Sequence, residues 1–172
     1  MEPDIDDIKK KLEGGRDFLD NLMMKIPGFR GYVEQTELYD ADSIVRSFMA
    51  ERFVRFKKSV DAAMSEALKR SEQKVLPDLD SLNLLLERVM KKCRYADYGS
   101  SSFSGVRITA EDQERLLAFD WSLTLMLDEI ETLMERLSSF EELVDALAAV
   151  KKKIADFESS FDKRKSVILE VI

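Results

Sequence analysis

A chain of 172 residues is long enough for one compact core, and 45% hydrophobic with 35% charged residues suits a protein rich in amphipathic helix. Its formal charge of −7 excludes a broad nucleic-acid surface, because phosphate binding needs a dominant basic face. Histidine is absent, which removes the commonest general base, the commonest transition-metal ligand and every Ser-His or Cys-His nucleophile pair, so no catalytic residue, cofactor or metal ligand is assigned.

The first helix is predicted over residues 4–26. Asp4, Asp6 and Asp7 sit where the helix dipole favours negative charge, and Ile5, Ile8, Leu12, Leu19, Leu22 and Ile26 follow three- and four-residue steps. Gly14 and Gly15 weaken its middle by about 1 kcal/mol each relative to alanine. A corner follows over 27–35. Pro27 fixes its own φ, Gly28 and Gly31 permit a tight return, and Phe29 and Tyr32 can pin the corner to a core while Arg30 seeks an acceptor.

The second and third helices are predicted over 36–97, broken at Pro77. Thr36 is a candidate cap. Val45, Phe48, Arg52, Phe56, Val60, Ala63 and Ala67 trace one face, widened by Met49, Phe53 and Leu68. Asp42 and Arg46 stand four apart and can meet on the helix surface. The cluster Arg52, Arg55, Lys57 and Lys58 reads as a solvated face, with contact to an anionic partner as the alternative. Proline removes a donor and clashes with the preceding turn, so the second helix ends or kinks before Pro77, near residue 73. Leu79, Leu82, Leu86, Val89 and Cys93 then form the next stripe, where the lone cysteine reads as an inert buried thiol.

Residues 98–109 form the one long irregular stretch. Tyr98 and Phe103 can anchor it as a structural loop. Gly99, Gly105 and the serines offer backbone amides, and Arg107 a charge, so anion or small-ligand binding is the sharper alternative, although no phosphate-loop spacing is present.

Residues 110–172 carry two long seams. Leu116, Phe119, Leu123, Met126, Ile130, Leu133 and Leu137 keep an unbroken three-four spacing, and Leu117, Trp121 and Leu125 add a second apolar face over the first half. A helix apolar on two faces is surrounded by partners, which places 116–127 at the centre of the core. Ser139 and Glu142 read as a capping box for the last helix. Its seam, Phe140, Leu143, Leu147, Val150, Ile154, Phe157, Phe161, Ile168 and Val171, has Arg164 as its single charged member and calls for a coiled-coil partner. The two helices form either an antiparallel hairpin turning at Ser138 and Ser139 or one long helix; seams of matching length favour the hairpin.

The reading is an all-α protein: an elongated bundle of about five helices in a single domain over 1–172, with a long coiled-coil-like C-terminal hairpin. Three groups of residues, the corner Pro27-Gly28-x-x-Gly31-Tyr32-x-Glu34 with Ala41, Asp42 and Arg46, then Arg94-Tyr95-Ala96-x-Tyr98-Gly99, then Phe119-Asp120 with Leu123, resemble a family of small uncharacterised helical proteins from prokaryotes. The resemblance covers most of residues 25–130. It implies an intact helical domain and supplies no catalytic residues; a serine run replaces the aromatics usual in the second loop.

Asp120 is the ionisable residue among the polar side chains between Leu116 and Leu127. A charge there needs a partner, and arginine suits a carboxylate best because its planar fork gives two parallel hydrogen bonds. Arg30 is the first choice, followed by Arg46, Arg94 and Arg107, with Asp120 acting as a structural lock. No apolar run approaches the ~20 residues that span a bilayer and the acidic N-terminus is no signal peptide, so the chain is expected in the cytoplasm. The expected function is a non-enzymatic interaction or assembly protein, binding a protein partner or a second copy through apolar helix faces. The alternative is a small-ligand or anion-binding domain using 98–109. Peripheral membrane contact through the second helix is a weaker third, opposed by the acidity.

Overall fold

A computed structural model of the chain describes residues 17–27, 29, 38–96, 110–139 and 141–171. They are all-α, with five helices and no strand among the described residues. The helices are α1 (Asp17–Lys25), α2 (Leu38–Lys69), α3 (Leu76–Tyr95), α4 (Ala110–Glu135) and α5 (Leu143–Val171). Gly14, Gly15 and Thr36 lie outside the described residues.

The α2–α3 break comes earlier than proline alone dictates. Helix α2 stops at Lys69, and Ser71 adopts φ 60°, in the left-handed region. Ser71 N–H donates to the Leu68 carbonyl (3.1 Å) and Glu72 N–H to the Ala67 carbonyl (2.9 Å), the paired bonds that close a helix end through a left-handed residue. Pro77 then falls in the first turn of α3, where its missing donor costs nothing. Ending the stripe at Lys69 leaves Leu68 58% exposed, not in the core where its spacing placed it.

Between α4 and α5 a short 3-10 turn (Arg136–Ser138) leads to Ser139 in extended conformation, φ −92° and ψ 108°. Two helices result, not one. The reversal is fixed by Glu142 N–H donating to the Ser139 carbonyl (3.2 Å) and by Arg136 Nε donating to the Glu142 carboxylate (2.9 Å). The last helix starts at Leu143, so Glu142 anchors the reversal through Arg136.

The chain divides into two compact units. The first holds the described residues of Met1–Phe48, Asp97–Leu125 and Ser160–Ile172; the second is Met49–Ala96 with Met126–Ser159. Helices α2, α4 and α5 each contribute one stretch to both. In the first unit Leu22, Ile26, Phe29, Val45, Leu116, Leu123, Phe161 and Ile168 are buried together with six charged or hydroxyl-bearing side chains among the described residues: Asp42, Arg46, Asp120, Ser122, Thr124 and Arg164. In the second, Phe53 meets Phe56 and Phe157 edge-on, with ring centroids 5.6 and 5.1 Å apart, and Leu79, Leu82, Leu86, Ile130, Val150 and Ile154 complete an apolar core. Arg52 is the buried charged side chain there.

Two seam assignments change. On α4 the fully buried line runs Leu116, Asp120, Leu123, Leu127, Ile130, Met134 and Leu137, whereas Phe119, Met126 and Leu133 are half-buried. The stripe Leu117–Trp121–Leu125 is not enclosed; Leu125 is 41% exposed. Turning Asp120 inward brings Thr124 with it, one helical turn on, and swings the second apolar stripe outward. On α5, Leu143, Leu147, Val150, Ile154, Phe157, Phe161 and Ile168 are all buried within the single chain. Those described seam residues are therefore already covered within the chain. Phe140 and the Val171 side chain lie outside the description.

Candidate functional site

Four charged side chains of the first unit converge in the interior. Arg164, wholly buried, donates from Nε to Asp120 Oδ1 (2.7 Å) and from Nη2 to Asp120 Oδ2 (3.0 Å). Its third nitrogen, Nη1, donates to Asp42 Oδ1, and the other Asp42 oxygen accepts from Arg46 Nε (2.8 Å). Each carboxylate oxygen of the pair thus meets a guanidinium, and among the described residues two arginines face two aspartates here. Helical spacing assembles the group: Asp42 and Arg46 are one turn apart on α2, Asp120 sits at a seam position of α4, and Arg164 at one of α5. Burial pushes the Asp120 carboxyl above its ordinary value; Arg164 opposes the shift and Asp42 adds to it. Ser122 and Thr124 donate to the carbonyls of Phe119 (2.6 Å) and Trp121 (2.8 Å) on their own helix, which satisfies their hydroxyls inside the core.

This centre is built to hold elements together. Both oxygens of Asp120 accept hydrogen bonds from the buried Arg164 guanidinium. The tie runs from α4 to α5 and, through Asp42, to α2. Arg164 was the one charged member of its seam in the sequence and was not among the candidate partners; Arg46 lies one step away, on Asp42. Arg30, the first choice, lies outside the described residues, as do Gly28, Gly31 and Tyr32 of the corner and Tyr98, Gly99, Phe103, Gly105 and Arg107 of the proposed ligand loop. Of the corner, Pro27 is an exposed turn residue and Phe29 is buried, its N–H donating to the Ile26 carbonyl (3.1 Å). Beside it, the Lys25 ammonium stands 5.1 Å from the centroid of the Trp121 ring.

Two of the four basic side chains in the α2 cluster, Arg52 and Lys57, are engaged within the second unit, while Arg55 and Lys58 are exposed. Arg52 donates to Asp128 (3.1 Å) and Glu131 (2.8 Å), and Lys57 to Glu87 (3.2 Å). Arg88 and Lys92 both bind Glu158, at 2.6 and 3.1 Å. Burial alone would raise the Glu158 carboxyl, but these two hydrogen bonds outweigh it and hold the group below its ordinary value. Cys93 is a buried thiol.

The second unit also carries an open cleft of about 380 Å³, lined by Ser59, Ala62, Ala63 and Glu66 of α2, by Met134 and Glu135 at the end of α4 and by Leu137 and Ser138 of the 3-10 turn that follows. Ala63, Met134 and Leu137 make an apolar floor, and small side chains on α2 keep it open. Among the described residues no group of three or more Cys, Asp or Glu is placed to hold a metal ion, and no helix is long and apolar enough to cross a membrane. No family model, curated protein or solved structure matches the chain.

Proposed function

We propose that the protein is a non-enzymatic helical interaction protein that engages a protein partner through the open cleft of its second unit. The observation that carries this reading is the contrast between what is used up and what is left open. The long α5 seam is buried within one chain, and the buried carboxylates of the first unit are taken by arginines. The cleft between α2 and the end of α4 remains an apolar concavity facing outward. Concave apolar grooves between helices are where an incoming helix lays its own apolar face.

The seam that first suggested self-association no longer supports it, so the chain is expected to be monomeric by light scattering at high concentration. The reading is tested by selecting binders from a library of helical peptides and mapping them by amide chemical shifts on the full chain. Binders that shift residues 59–66 and 134–138 support it. A library whose binders all map elsewhere overturns it.

A further inference from the structure

The cleft has a definite electrical character. Among the described residues its two ionisable lining residues, Glu66 and Glu135, are both acidic, and no lysine or arginine lines it. It also sits at two helix C-termini: Glu66 is in the last turn of α2, and Met134 and Glu135 end α4. Helix C-termini carry partial negative charge that favours cations, and the last turn of α4 contains no basic residue to answer it. Arg70 and Lys69 reach Glu66, at 2.7 and 3.9 Å, and Arg136 is engaged with Glu142 at 2.9 Å. The Glu135 carboxylate has no ion-pair partner among the described residues.

Resting on the interaction reading above, we propose that the cleft takes a basic amphipathic helix of a partner protein. An aliphatic side chain of that helix enters between Ala62, Ala63, Met134 and Leu137. Flanking lysine or arginine side chains meet Glu135 and the C-terminal end of α4, where no basic residue stands in the last turn. Small residues on α2 let the incoming backbone approach closely, and the acidic rim selects the sign of its flank. Charge of this kind sets partner choice and encounter rate, and it weakens with salt.

The experiment titrates the isotope-labelled full chain with a leucine/lysine amphipathic helical peptide and with its leucine/glutamate counterpart, at low and high salt. The expected result is that the lysine peptide shifts amides of 59–66 and 134–138 and binds at least about ten-fold more tightly than the glutamate peptide at low salt. Glu135→Lys, at an exposed position, should bring that ratio towards one without moving the melting temperature, and Ala62→Trp should abolish binding by filling the cleft. Should Ala62→Trp fail to fold, the smaller Ala62→Met tests the same filling of the cleft, with weakened lysine-peptide binding expected and unchanged binding counting against the proposal. Equal affinity for the two peptides, or lysine-peptide shifts confined to other surfaces, overturns the proposal. A glutamate peptide that binds the cleft better overturns the basic partner while leaving the interaction reading in place. If neither peptide nor any library binder perturbs the cleft, both fall together.

Discussion

The two units solve the same problem with opposite materials. The first buries two arginines and two aspartates and spends its specificity on hydrogen-bond geometry; the second buries edge-packed phenylalanines and aliphatic side chains and keeps most of its ion pairs at the surface. The difference shows what each can tolerate. Apolar packing loses free energy gradually as volume is removed, whereas a buried ion pair loses its whole compensation when one partner goes. A single substitution should therefore be far more damaging in the first unit than a small one in the second.

The largest effect is expected at Asp120. Asp120→Ala removes both carboxylate oxygens that accept from the buried Arg164 guanidinium and should destabilise by about 3–5 kcal/mol. Urea unfolding followed through the single tryptophan, Trp121, reads this directly, because that ring lies in the first unit. Replacing both members, Asp120→Leu with Arg164→Met, should recover much of the loss, since well-packed apolar pairs replace buried ion pairs with little net cost. A near-neutral Asp120→Ala, or a double variant as damaged as the single one, would show that the lock carries no such weight.

In the second unit Ile154→Val, which removes one buried methylene-sized group, should cost only about 0.5–1.5 kcal/mol. Amide exchange should show the loss in 49–96 and 126–159. If it reached the size of the Asp120 effect, the contrast between the units would be wrong.

How much of this was legible in the sequence follows from the same contrast. The helices and the buried stripe of α3 were readable because three-four periodicity is a local property. The α4 stripe was misread by one position because Phe119, Met126 and Leu133 are more hydrophobic than Asp120, Leu127 and Met134 taken together. Only a partner charge makes it favourable to turn Asp120 inward. That partner had left a trace: Arg164 is the lone charge in the α5 seam, as Asp120 is in the α4 line, and each lies 22 residues from Glu142 in the reversal. Pairing the solitary charges of two antiparallel seams would have found the lock. The cleft left no comparable trace, since Ser59, Ala62 and Ala63 read as ordinary helix surface until α4 is placed beside them.

The α2–α3 reversal offers a gain. Ser71 holds φ 60°, where a side chain is crowded and glycine is not. Ser71→Gly relieves that crowding but enlarges the freedom of the unfolded chain, for a net stabilisation of about 0.5–1 kcal/mol. The midpoint of urea unfolding, at constant slope, measures it, and a loss of stability would mean that the serine side chain contributes more than its conformation costs.

The smallest effect sharpens the comparison through its sign. Glu158 is held below its ordinary value, 4.5, so it binds fewer protons folded than unfolded; its stabilisation is complete above that value and is lost as pH falls through its folded pKa. Asp120 is pushed above its ordinary value, 3.8, so its folded form holds the proton more tightly; its favourable contribution is complete below that value and is lost as pH rises through its folded pKa. Acidification should accordingly weaken the Glu158 contribution in the second unit while relieving the cost of ionising Asp120 in the first. Glu158 is a partly exposed surface group, so Glu158→Gln should cost only about 0.2–1 kcal/mol near neutral pH and nothing once the wild-type carboxyl is protonated. Asp120→Asn removes the other titration, and the pH dependence of unfolding read at Trp121 should then lose the component that falls with rising pH above 3.8. Parallel pH profiles for Asp120→Asn and the wild type would mean that Arg164 and Asp42 together leave Asp120 with no net shift. Opposite changes in the two variants would instead tie each unit's response to the kind of charge it buries.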